Sequence, residues 1–71
     1  MSFSDFIAQF LDLYNRLEAE LPRNREYVIA ASRRALTPLR RYSPADEGEE
    51  ILVEVAIEMF EALIARAGGS A

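Results

Sequence analysis

Residues 51–67, ILVEVAIEMFEALIARA, form the most apolar long stretch of the chain, and how they are covered decides the fold. On a helix at about 100° per residue, Glu47, Glu50, Glu54, Glu58 and Glu61 fall in one stripe roughly 80° wide. Nearly all the remaining positions are apolar, over an arc of roughly 240°, whereas a surface helix needs an apolar stripe of about 100° or a little more. Two neighbouring helices in a small bundle cover more than that, but not this much. The expectation is a further covering surface, most simply a second copy of the chain.

Local signals bound this helix at 44–67. Ser43 can accept a backbone N–H as N-cap, and Pro44 suits the first helical position, where its missing N–H costs nothing. Asp46 and Glu47 then lie at the positive end of the macrodipole and Arg66 at the negative end. Gly48 weakens the first turns by up to about 1 kcal/mol relative to alanine. Gly68 can take the left-handed position after the last turn. A helix of these limits is about 36 Å long.

Working outward, residues 3–20 predict a first helix. Phe3, Ile7, Phe10, Tyr14, Leu17 and Leu21 are spaced alternately by four and three residues, the seam of a helical bundle. Ser2 or Ser4 can cap it, with Asp5 near its positive end. Leu21-Pro22-Arg23-Asn24 reads as a turn, because the residue before a proline is pushed out of the helical region, and Asn24 is a candidate cap. A second helix follows over 24–37, with Tyr27, Val28, Ala31 and Ala35 on one face. Pro38 inside a helix would cost about 3 kcal/mol, so a break is expected near it, with a short helical turn on to Tyr42. Short connections make consecutive helices antiparallel neighbours. The fold class is thus all-α, a self-associating three-helix antiparallel bundle. Residues 1–67 form one domain, and 68–71 a flexible tail.

Composition narrows the function classes. With 71 residues there is room for one domain, whose core alone supplies no more than about 3–5 kcal/mol. The chain has neither cysteine nor histidine, so disulfides and thiolate or imidazole metal sites are excluded, and oligomerisation is the staple that remains. Absence of cysteine fits a reducing cytoplasm. The N-terminal stretch lacks the basic start and uninterrupted apolar run of a signal peptide. Glu54, Glu58 and Glu61 interrupt the best candidate for a membrane span. The net charge of −4 disfavours anionic lipid and non-specific nucleic-acid binding.

No catalytic constellation is visible. Without His, Cys or Lys, a serine would have only a carboxylate as its base. The glutamate stripe lacks the histidine that helical carboxylate metal sites combine with Glu, and Asp46 to Glu50 lacks calcium-loop spacing. No cofactor is expected. Six of the eight basic residues, all arginine, lie between Arg23 and Arg41, giving that segment a local charge of +5 once Glu26 is subtracted. Arg33 and Arg40 share one line on the second helix; Arg34 and Arg41 share the next. These four can be solvated, can pair with the glutamate stripe within or between chains, or can contact phosphate with affinity that falls with salt.

The function that follows is a non-catalytic protein–protein interaction or assembly module, with a homodimer as the expected state. Its expected interface comprises Phe3, Phe6, Phe10, Leu13, Leu52, Val53, Ala56, Ile57, Phe60, Leu63 and Ile64. On this reading Phe60→Glu or Leu63→Glu dissociates and unfolds the protein together. The alternative is a nucleic-acid-binding regulator using Arg33, Arg34, Arg40 and Arg41.

Overall fold

A computed structural model describes residues 2–69. Three helices, α1 (Phe3–Glu20), α2 (Arg25–Arg41) and α3 (Glu47–Arg66), pack against one another as an all-α bundle, with no strand among the described residues. α2 runs back along α1, and α3 runs parallel to α1. Phe10 and Tyr14 of α1 meet Phe60 of α3 edge-on, and one turn further on Glu18 pairs with Arg66.

Each helix starts on a side chain that accepts an otherwise unpaired N–H. Ser2 Oγ accepts from Asp5 N while Asp5 Oδ2 accepts from Ser2 N, a capping box for α1. Asn24 Oδ1 accepts from Tyr27 N at the start of α2. α3 begins three residues later than expected. Asp46, not Ser43, is its N-cap, its carboxylate accepting from Glu49 N at 2.9 Å. Glu49 Oε1 reaches back to accept the Ala45 N–H at 2.9 Å and the Tyr42 hydroxyl at 2.7 Å. Two acidic side chains three apart satisfy more donors than Ser43 could, and that selects the later start.

The expected break at Pro38 is also corrected, since α2 continues through it to Arg41. Proline has no N–H to give the Arg34 carbonyl, but Arg34 and Pro38 both lie on the exposed side of the helix. On the opposite side Leu36 and Leu39 are 3% and 0% exposed. Burying such a side chain contributes about 1.5–3 kcal/mol, comparable to the cost of the proline, so keeping both leucines in register holds the helix together.

The core is built of Leu17 from α1, Val28, Ala31, Ala35, Leu36 and Leu39 from α2, and Ala56, Phe60, Leu63 and Ile64 from α3, closed by Ala67. Small residues on α2 let α3 approach closely. Phe3, Phe6 and Tyr42 stack at one end of the bundle. At the other end α3 closes in a Schellman turn. Gly69 N donates to Ile64 O, Gly68 N donates to Ala65 O, and Gly68 stands at φ +90°. Gly69 is packed so tightly that a Cβ there would come within 3.0 Å of Ile64 and 3.1 Å of Ile29. Ser70 and Ala71, the end of the expected flexible tail, lie outside the described residues.

Candidate functional site: an exposed apolar strip on α1 and α3

The helices leave several large apolar side chains uncovered. Among the described residues the exposed large hydrophobics are Leu11, Tyr27, Ile51, Leu52 and Val55, between 42% and 52% exposed. Tyr27 borders an open groove between α1 and α2, lined also by Leu13, Leu17 and Glu20. The other four gather on the α1–α3 side. The pair Arg66 Nη1–Glu18 Oε2, at 3.0 Å, marks the seam between these parallel helices. Seven residues are almost two full helical turns, so stepping back seven from each partner stays on the same two lines. The first step reaches Met59 and Leu11; the second reaches Leu52 and Ser4. Ile51 and Val55 adjoin Leu52 on α3, so helical spacing sets Leu11, Met59, Leu52, Val55 and Ile51 in a strip along one side of the bundle, Met59 being half-buried.

The strip differs from the interface expected from sequence. Val53, Ala56, Phe60, Leu63 and Ile64 are enclosed within the single chain, at most 5% exposed. Phe6, Phe10, Leu13 and Ile57 are partly buried and packed on the core, and Phe3 is half-buried against Phe6 and Tyr42. Of the eleven, Leu52 alone is exposed. What α3 leaves open to another molecule is therefore the opposite arc, centred on Ile51 and Val55. A charge at Phe60 or Leu63 would unfold the chain whatever its state of association.

The charged side chains fall into distinct rows. Glu47, Glu54 and Glu58 are exposed along one margin of the strip, and none has an ion pair among the described residues. Glu61 lies beyond them toward α2, where Arg40 Nη2 meets its Oε2 at 2.9 Å. Arg33 shares the Arg40 edge of α2. Arg34 and Arg41 lie on the other edge, which borders α1, so the structure divides the four candidate arginines between two sides of the helix. Arg16 pairs with Asp12 one turn back on α1. The hydrogen bond to Glu18 raises the Arg66 pKa above its ordinary value.

Among the described residues no three carboxylates are grouped to hold a metal ion, and no helix is long and apolar enough to cross a membrane. No protein-family model, curated protein or solved structure matches this chain.

Proposed function

We propose that this chain is a small helical protein–protein interaction module, an adaptor, regulatory subunit or assembly protein of the cytoplasm, that acts by presenting the Leu11–Ile51–Leu52–Val55–Met59 strip to another helical surface. The observation that carries this reading is the strip itself. Single exposed apolar residues are ordinary on a protein surface, whereas contiguous ones rimmed by charge mark contact sites. The core closes within one chain, so the strip is available without unfolding.

Sedimentation of the purified protein across concentration and salt, alone and with cell extract, tests this. The expected result is association, with itself or with a second protein, that Leu52→Glu abolishes while helical circular dichroism is retained. A folded monomer whose interactions are unchanged by Leu52→Glu would refute it. The alternative, a nucleic-acid-binding regulator, draws on exposed Arg34 and Arg41. It requires salt-sensitive duplex binding that is lost in an Arg34→Ala, Arg41→Ala double variant.

A further inference from the structure

We infer that the occupant of the strip is a basic amphipathic helix from a different protein, not a second copy of this chain; the inference rests on the interaction-module reading above. Around α3, Ile51, Val55 and Ala62 form the middle of the exposed arc, Leu52 and Met59 its α1 side, and Glu47, Glu54 and Glu58 its other side. Glu54 and Glu58 stand four apart on the helix, a like-charge spacing that is itself unfavourable. The opposite margin, on α1, carries Ser4, Ala8, Leu11 and Asn15 and ends at Glu18, whose charge Arg66 pairs. The site therefore has a greasy centre, one unpaired acidic edge and one edge without net charge.

Twofold symmetry fits this layout poorly. If two copies packed strip to strip with α3 helices antiparallel, the axis would lie across the helices, and each acidic row would face the other. If the α3 helices were parallel, each acidic row would face the partner's α1 edge. Neither arrangement brings an arginine row onto Glu47, Glu54 and Glu58, and the antiparallel one also sets like charges together across the interface, which works against it. A foreign helix with apolar residues at i, i+3, i+4 and i+7 fills the centre, and Arg or Lys along one flank meets the acidic row.

The test uses the full chain and three fluorescent peptides of about 18 residues, five helical turns. One carries a leucine stripe flanked by arginine, one the same stripe flanked by glutamate, and one the first composition shuffled so that no stripe forms. The arginine-flanked peptide is expected to bind at least tenfold more tightly than either of the others. Leu52→Ser with Val55→Ser, both at exposed positions, is expected to weaken it tenfold or more with circular dichroism unchanged. Glu54→Arg with Glu58→Arg is expected to shift preference to the glutamate-flanked peptide. Equal binding of the shuffled peptide would reduce the effect to net charge and overturn the inference. Equal binding of the two striped peptides would overturn it while leaving the strip as a docking surface. Dimerisation that Leu52→Ser and Val55→Ser abolish would make a second copy the occupant, overturning the inference but supporting the interaction module. A monomer that binds none of the peptides would overturn the inference; if it also ignores Leu52→Glu in the extract experiment, the module reading falls separately.

Discussion

The Tyr42 hydroxyl donates a 2.7 Å hydrogen bond to Glu49 Oε1, tying the end of α2 to the first turn of α3. The same carboxylate oxygen accepts the Ala45 N–H, so one side chain organises the whole α2–α3 connection. The bond to Glu49 raises the Tyr42 pKa above the ordinary value near 10, with burial and the charges of Glu49 and Asp46 adding to it. The neutral phenol is thus the form that the fold favours. Its contribution is fully present below the unfolded-state pKa near 10 and is lost as pH rises through the higher folded-state value. Tyr42→Phe should melt at a lower temperature than the parent at neutral pH. The gap between the two should close on the alkaline side of pH 10, and melting curves across that range check it.

Gly68, at φ +90°, takes a conformation that side chains with a Cβ adopt at a cost. Gly68→Ala should destabilise the chain by about 1–2 kcal/mol, the usual penalty for a left-handed non-glycine residue, although nothing crowds a Cβ there. Gly68→Asn should lose less, since asparagine tolerates the region. Chemical denaturation of the two variants measures the difference. Equal stability of parent and Gly68→Ala would mean that the terminal turn contributes nothing to the fold.

The helix count, the all-α class and the apolar faces were legible because periodicity reports burial directly, and Phe3 to Leu21 shows it in plain form. Asn24 and Gly68 were legible because caps depend on a side chain or backbone freedom at one position. Two boundaries were not. Ser43-Pro44 is a good local start for a helix, but Asp46 and Glu49 are a better one, and the tie to Tyr42 that completes it is a contact across a loop. The Asp46-Glu47-Gly48-Glu49 spacing is itself a capping signature that competes with Ser43. Pro38 carries only its local cost in the sequence, whereas the leucines on either side of it decide the outcome through the core. The apolar excess of α3 was legible; which part of it the chain covers itself was not. That depends on where α1 and α2 dock around the helix, and Phe60 and Leu52 look alike in sequence while one is 1% and the other 49% exposed.

Ser32 is fully buried in α2, and its Oγ has no hydrogen-bond partner among the described residues. An unsatisfied buried hydroxyl costs about 1–3 kcal/mol in desolvation. Ser32→Ala removes the hydroxyl and leaves a side chain only one atom smaller. It should raise stability by about 1 kcal/mol, read as a higher urea midpoint at unchanged slope. A drop in midpoint would show that the hydroxyl is satisfied in solution.

Phe60 is 1% exposed and is met edge-on by Phe10 and Tyr14, so it joins α1 to α3 at the centre of the bundle. Truncation of a buried phenylalanine to alanine costs about 3–5 kcal/mol. A core of this size supplies about the same. Phe60→Ala should therefore be largely unfolded at room temperature by circular dichroism, while Leu52→Ala, on the exposed strip, should stay folded with a midpoint near that of the parent.

Pro38 offers the sharpest separation of local from tertiary preference. Its ring removes the donor that the Arg34 carbonyl would otherwise accept from, a defect of about 3 kcal/mol in a helix interior. Pro38→Ala restores that donor but also frees the unfolded chain, which takes back about 0.4–1 kcal/mol. Residue 38 is exposed and its neighbours Leu36 and Leu39 are already in place, so repacking has nothing to gain. The net expectation is a stabilisation of about 2 kcal/mol by chemical denaturation, with fractional helicity unchanged. A loss of stability would reverse the assignment. It would mean that the φ fixed by the proline ring places Leu39 and Tyr42, and that the helix passes through Pro38 because of the ring and not in spite of it.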